Sequence, residues 1–332
     1  MNYKELITRL PEDKQQKGLW PVEWAMLVYG AFTLVLMAVL AGQLVDPLSM
    51  LGERALALGW LVLAYFIYHK YPCRVTQFLR IFLVMSTLSR WYPDTYEFNR
   101  LFSNLDHIFA SWDQSLFGCQ PSLRFSELLP QAWFSEALYL GYFSYFPMIF
   151  FLIFCTWLHR NGELMRTSFI VMASFFTFYV VYIFLPVAGP QYYYLVDGVD
   201  PAGGVFPDVG HYFHEMREMY PAAGTDGLFH SLVSAAHDAG ERPTAAFPSS
   251  HIGVATIVLI LALRNRMRIF SLAILPLYIC LCMATVYIHA HYLVDAIAGF
   301  FSAFIVYFLL SWVWNRWFRN KVSIYLSKYL ST

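Results

Sequence analysis

The chain has 332 residues, of which 58% are hydrophobic and only 13% charged, with Lys and Arg balancing Asp and Glu at a formal net charge of zero. A soluble domain carries roughly a quarter charged residues, so charge this sparse, clustered between long apolar runs, excludes an ordinary soluble enzyme and describes repeated membrane crossing. The zero balance gives no electrostatic footprint for a nucleic-acid partner.

In chain order, residues 1–21 are polar and basic, and an apolar run follows from Glu23 to Val45. The small residues of Ala38-Val-Leu-Ala41 would suit a cleavage site, but the long polar lead-in and long apolar run favour an uncleaved first span. Further runs stand at 55–69, 75–91, 133–158, 167–187, 249–264, 269–288 and 291–314. The expected fold is therefore all-α: a polytopic integral membrane helical bundle of about eight transmembrane helices with long non-cytoplasmic loops. No internal repeat is visible, and 1–332 reads as a single membrane domain with N-terminal spans (1–91), a core (92–314) and a cytoplasmic tail (315–332).

With eight spans and the N-terminus inside, sixteen of the 22 lysines and arginines fall in cytoplasmic segments, and every lysine is among them. This is the bias of the positive-inside rule. Both termini are then cytoplasmic, and the segments 92–132 and 188–248 are outside. Stretches 211–220 and 225–238 alternate at roughly helical spacing, as segments lying on the membrane or capping a site would. Of five cysteines only Cys119 falls in an outer segment, so no disulfide framework is expected; Cys280 and Cys282 read as packing residues.

Two stretches carry chemistry. Phe247-Pro248-Ser249-Ser250-His251 opens one apolar run, and His291-Tyr-Leu-Val-Asp295 opens another after an out-and-back hairpin. Both histidines therefore arrive at one membrane face. A helix beginning at Pro248 with Ser249 or Ser250 as cap presents free amides and a positive dipole end to an anion. His251 in its first turn is placed to protonate a leaving oxygen. His291 and Asp295, at i and i+4, would share a helix face, letting the carboxylate fix the imidazole tautomer of a nucleophile or base. The bland alternatives are an ordinary helix start and a structural His–Asp pair. His211, His214, Glu215 and Glu218 could be drawn as a metal cluster but match no recognised metal pattern. His289 lacks a carboxylate at i+4 and is the weaker nucleophile candidate.

Together, Pro-Ser-Ser-His at 248–251 and His-x-x-x-Asp at 291–295 resemble signature motifs of the type 2 phosphatidic acid phosphatase superfamily. More narrowly, these stretches with Asp113–Gly118, Pro121 and Leu185-Pro-Val-Ala-Gly-Pro-Gln-Tyr-Tyr-Tyr194 resemble its inositol phosphorylceramide synthase branch, over roughly 100–310. The resemblance implies that His291 forms a phosphohistidine, Asp295 orients it and His251 is the acid. It also implies that Ser249 and nearby amides hold phosphate oxygens, with no metal or other cofactor. The implied partners are a phospholipid or lipid phosphate donor, a lipid hydroxyl or water as acceptor, and the surrounding membrane lipids. Phosphatases of the superfamily carry an Arg six residues before the nucleophile, where Thr285 stands here, and their Lys…Arg-Pro motif has no counterpart in 160–200. Sphingolipid headgroup transferases also lack these groups, which favours phosphotransfer over hydrolysis. Candidate phosphate contacts are then Ser250, Arg242, Arg217, Gln191, Tyr192, Tyr193 and Tyr194, although the three tyrosines also read as an interfacial aromatic belt. Ionisable residues at one interface, without inverted repeats, disfavour a transporter or a non-catalytic lipid-binding scaffold.

Overall fold

A computed structural model describes residues 6–11, 15–214, 218–220, 227–240 and 242–319. In chain order its main helices are α1 (Pro21–Leu40), α2 (Pro47–Lys70), α3 (Arg74–Met85), α4 (Asp106–Phe117), α5 (Pro121–Leu128) and α6 (Ala132–Phe143). They continue with α7 (Tyr145–His159), α8 (Leu164–Phe184), α9 (Leu228–Gly240), α10 (Ser250–Arg264), α11 (Arg268–Tyr287) and α12 (Leu293–Val313). Among the described residues the extended structure amounts to an isolated bridge, Asp200 to Val205. The protein is all-α.

Among the described residues five segments are long and apolar enough to cross a bilayer: α1, α2, Asn161–Phe184, α11 and Leu293–Phe318. The expected run 133–158 is broken into α6 and α7, bent by 46° at Ser144, and counts as a sixth if the pair is one span. The other two expected runs fold as shorter pieces. Residues 75–91 divide into α3 and a five-residue turn, Thr87–Trp91, while α10 has 15 residues, short of the ~20 a spanning helix needs. The segment 92–132, expected to lie outside, is helical in three short pieces, Pro93–Asn99, α4 and α5. Of the stretches expected to be amphipathic, 225–238 corresponds to α9, and 211–220 contributes a short 3₁₀ turn at Tyr212–His214.

The chain divides into two compact units, Met1–Trp91 with Phe151–Phe176 and Val306–Thr332, and Tyr92–Phe150 with Thr177–Ile305. The first is built around a buried ion pair. Arg80 Nε donates to Glu23 Oε1 at 2.5 Å, Glu23 Oε2 caps the Trp20 amide at 2.6 Å, and the guanidinium lies 4.0 Å from the Trp20 ring centroid. A charge in an apolar bundle is tolerated when its partner and its remaining hydrogen bonds are supplied inside.

The second unit holds every candidate site residue, and glycines set how closely its helices approach. A Cβ at Gly141 would stand 2.5 Å from Cys280 Cβ, so α6 lies directly against α11. A Cβ at Gly299 would collide with the Ser249 carbonyl oxygen, so α12 lies directly against the start of α10. Filling that contact forces one helix outward, an overpacking that typically costs about 1–3 kcal/mol. Gly299→Val is expected to lower the thermal midpoint in detergent and to depress activity in the protein that remains folded.

Candidate active site

The segment 242–249 reaches the site tied down at alternate residues, Thr244, Ala246 and Pro248, and again at Ser249. Asn99 Nδ2 donates to Thr244 Oγ1 and to the Tyr182 carbonyl, and the Ala246 amide donates to Val187 O at 3.0 Å. The Tyr182 hydroxyl donates to Pro248 O at 3.0 Å and accepts the Ser250 amide at 2.9 Å. Ala245 has φ 71°, a left-handed conformation that costs a non-glycine residue about 1–2 kcal/mol. Such strain persists where the surroundings over-determine it. Ser249 is the N-cap of α10, its Oγ accepting the Ile252 amide at 3.4 Å, and its own amide donates to Asp295 O at 3.1 Å.

His251 enters in the first turn of α10. Its ring stacks on Tyr142 (centroids 4.7 Å, 25°) and lies 4.5 Å from Tyr145. These tyrosines flank the α6–α7 bend, so the break at Ser144 lets two successive helices present rings to one histidine. Neither tyrosine stands out in the sequence, where the i, i+3 spacing of Tyr142 and Tyr145 inside an apolar run is the available signal.

The His251 and His291 rings are 5.8 Å apart, centroid to centroid. The two motifs meet. How His291 is held differs from expectation, because it does not share a helix with Asp295. Helix α12 begins at Leu293, and Asp295 at its third position turns back so that Oδ2 accepts the Tyr292 amide at 3.0 Å, half of a capping box. His291 precedes the helix, its amide donating to Thr285 O at 2.9 Å. Its Nδ1 is 2.8 Å from the Ala246 carbonyl oxygen, whereas Asp295 Oδ2 stands 3.8 Å away, in ion-pair range. A carbonyl only accepts, so Nδ1 carries the proton and Nε2 keeps its lone pair. Asp295 is wholly buried, and its Oδ1 has no hydrogen-bond partner among the described residues.

Two further carboxylates complete the site, and neither was singled out beforehand as a functional side chain. Asp113 on α4 accepts the Leu293 and Val294 amides at 2.8 and 3.0 Å, capping α12 from another element. Asp106, two turns earlier, accepts the Ala188 and Gly189 amides at 2.6 and 2.7 Å and the Tyr292 hydroxyl at 2.9 Å. Gly189 sits at φ 96°, and a Cβ there would stand 2.7 Å from Ala290 O, so both backbone angle and contact demand glycine. Burial raises the pKa of both carboxyls, that of Asp113 to about 6 against the hydrogen bonds that lower it.

The remaining candidates stand differently. Gln191 is buried, its backbone amide donating to His289 O and its backbone carbonyl accepting the Tyr220 backbone amide. Tyr192, Tyr193 and Tyr194 lie in an apolar core cluster with Val187, Ala188 and Phe213, not on a membrane-facing belt. The turn Pro190–Tyr193 is folded inward because the Ala188 and Gly189 amides are claimed by Asp106, and Tyr193 donates its hydroxyl to Pro207 O at 2.7 Å. Arg242 and Ser250 are half-buried at the two ends of the 242–250 segment. Arg217 and Glu215, like the side chain of His214, lie outside the described residues, so the drawn metal cluster cannot be assembled. Thr285 is fully buried, its hydroxyl donating to Cys282 O.

Beside the histidines an apolar groove of about 480 Å³ is lined by Ile252, Leu293, Ala296, Val286, Phe125 and Phe300, among others. It starts one residue beyond His251 and two beyond His291.

The profile of the PAP2 superfamily matches residues 107–309, more than half of the chain. The chain belongs to the PAP2 superfamily. The matched region contains both histidines, Asp295, Asp113 and the Pro190–Tyr193 turn. Membership in this superfamily fits a membrane enzyme of the lipid phosphatase or phosphotransferase class acting on a lipid phosphate. No curated protein and no solved structure matches the chain.

Burial lowers the pKa of His291 to about 4, against the Ala246 hydrogen bond, which raises it. The imidazolium is the form that burial disfavours, so the ring is neutral above that pH and charges only below it. Nitrogen-15 NMR of histidine-labelled protein should show at pH 7 a neutral Nδ1–H imidazole that titrates near 4, as buried His289 also does, and that disappears in His291→Ala.

Proposed function

We propose that the protein transfers a phosphoryl headgroup, inositol-phosphoryl or a related moiety, between lipids through a phosphohistidine on His291. The observation that carries this reading is the 5.8 Å pairing of the two histidine rings, with Nδ1 of His291 tethered to a backbone carbonyl. In the first half-reaction Nε2 of His291 attacks phosphorus, and the bond from phosphorus to the leaving oxygen breaks as His251 donates its proton to that oxygen. The ring becomes cationic, with its Nδ1 proton still held by Ala246 O. The carboxylate of Asp295, 3.8 Å away, offsets the new charge in a low-dielectric site where such an interaction is strong. In the second half-reaction neutral His251 takes the proton of an acceptor hydroxyl, whose oxygen attacks phosphorus as the phosphorus–nitrogen bond breaks. No step calls for a metal.

The groove beside the histidines supports a lipid substrate, since its lining is almost wholly apolar and it leads away from the reacting atoms along α12. Thr285, where superfamily phosphatases carry an arginine, supports the transferase branch, and Ser249, Ser250, Arg242 and Gln191 remain the proposed phosphate contacts, whereas Tyr192 and Tyr193, packed in the core cluster, do not. The lysine and arginine bias, counted over eight spans, supports cytoplasmic termini and a site at the opposite face, toward the periplasm, exterior or lumen.

Product analysis tests the reading. Purified protein given labelled phosphatidylinositol with ceramide or diacylglycerol is expected to form a new phosphorylated lipid only when the acceptor is present, and to do so in the presence of chelators. Free phosphate released from phosphatidic acid or a polyprenyl pyrophosphate without acceptor would instead make it a hydrolase. His291→Ala and Asp295→Asn should each remove nearly all turnover from folded protein; substantial turnover by His291→Ala would reject the phosphohistidine. Filling the groove with Ala296→Phe should raise KM for long-chain donors far more than for short-chain ones.

A further inference from the structure

We infer that Asp106 and Asp113 are positioning residues that hold the His291 turn in register with His251, a role for α4 that rests on the phosphotransfer reading. The two carboxylates are seven residues apart and share one face of the helix with Phe109, whose ring lies 4.5 Å from Phe247 at the head of the other motif. A single helix thus touches both halves of the site. Asp113 takes the two amides that follow Tyr292, and Asp106 takes the Tyr292 hydroxyl. Asp106 also takes the Ala188 and Gly189 amides, next to the Val187 carbonyl that binds the Ala246 amide. Ala246 in turn accepts from His291 Nδ1. Backbone position on both sides of the nucleophile is therefore set by one rigid element, and neither carboxylate is within hydrogen-bond reach of an imidazole.

A clamp made of a carboxylate and two amides weakens on protonation, because the bonds lose their charge assistance and one oxygen becomes a hydroxyl, a poorer acceptor. Asp113 sits opposite Asp295 and Tyr292, near Tyr194, with Asp106 on its own helix and His291 beyond Tyr292. Its carboxyl is raised to about 6 mainly by burial, so it protonates as the pH falls through that value, while His291 remains neutral down to about 4. The wild-type kcat profile should accordingly have an acid limb near 6, above the one that titration of His291 alone would give.

The experiment compares kcat, KM and pH profile in wild type, Asp113→Asn, Asp113→Glu and Tyr292→Phe, each checked for folding by size exclusion and thermal melting. Asp113→Asn, which turns an NH₂ toward one of the two amides, is expected to lower kcat about 10- to 100-fold with KM nearly unchanged, and to move the acid limb down toward 4. Asp113→Glu should recover part of kcat and restore a limb near 6. Tyr292→Phe should lower kcat, again without a KM change. If Asp113→Asn does not fold, the glutamate and phenylalanine variants decide the matter, since neither removes a carboxylate. Wild-type kcat and an unmoved acid limb in a folded Asp113→Asn, or in its absence unchanged kcat in both other variants, would overturn the inference. Histidine nitrogen-15 NMR separates this from the function itself: loss of the fixed Nδ1–H tautomer of His291 in Asp113→Asn supports the clamp whatever the substrate proves to be. An active His291→Ala would sink the phosphohistidine reading alone.

Discussion

Buried backbone amides that must be paired without water are the constraint on which the site rests. A helix that starts inside an apolar bundle leaves its first N–H groups without intrahelical partners, and leaving a buried donor unpaired costs roughly 1–3 kcal/mol. Helix α12 meets that demand with carboxylates from two directions, Asp295 on the Tyr292 amide and Asp113 on those of Leu293 and Val294. The loop before Gly189 meets it with Asp106. Because the acceptors come from fixed elements, satisfying the amides also fixes where the preceding residue, His291, can be.

The same economy governs the imidazoles. His291 gives its Nδ1 proton to a carbonyl of the opposite motif, so the hydrogen bond that selects its tautomer also docks the two motifs together. The His251 ring lies against the aromatic faces of Tyr142 and Tyr145, and those faces come together where the span 132–159 bends. The close approach of α12 to Ser249, possible only at Gly299, brings the Ser249 amide onto Asp295 O and closes the loop of contacts. Removing any one contact loosens a ring of interactions, which makes geometry rather than stability the more sensitive readout.

Part of this was legible in the residues. Apolar runs broken by clustered charge announced membrane helices, and Pro-Ser-Ser-His with His-x-x-x-Asp announced the pairing of His251 and His291. Their meeting needed only that a hairpin return the chain to the same face. The tripeptide Tyr192–Tyr194 was ambiguous, because a tyrosine at an interface and one packed in a core look alike in one dimension. The expectation of His291 and Asp295 on one helix face failed for a local reason: an aspartate three positions into a helix can serve its own N-terminus, and here it does.

The sequence by itself determined the all-helical membrane class and the two histidine motifs, since hydropathy and short spacings are local properties that survive any packing. Tertiary structure alone decided which carboxylate pairs with which amide, that Ala246 O rather than Asp295 holds the imidazole proton, and that Asp106 and Asp113 belong to the site at all. Ala246, Asp106 and Asp113 lie between 45 and 186 residues from the partners they hold around His291, and nothing in an aspartate's immediate neighbours says which distant N–H it will reach.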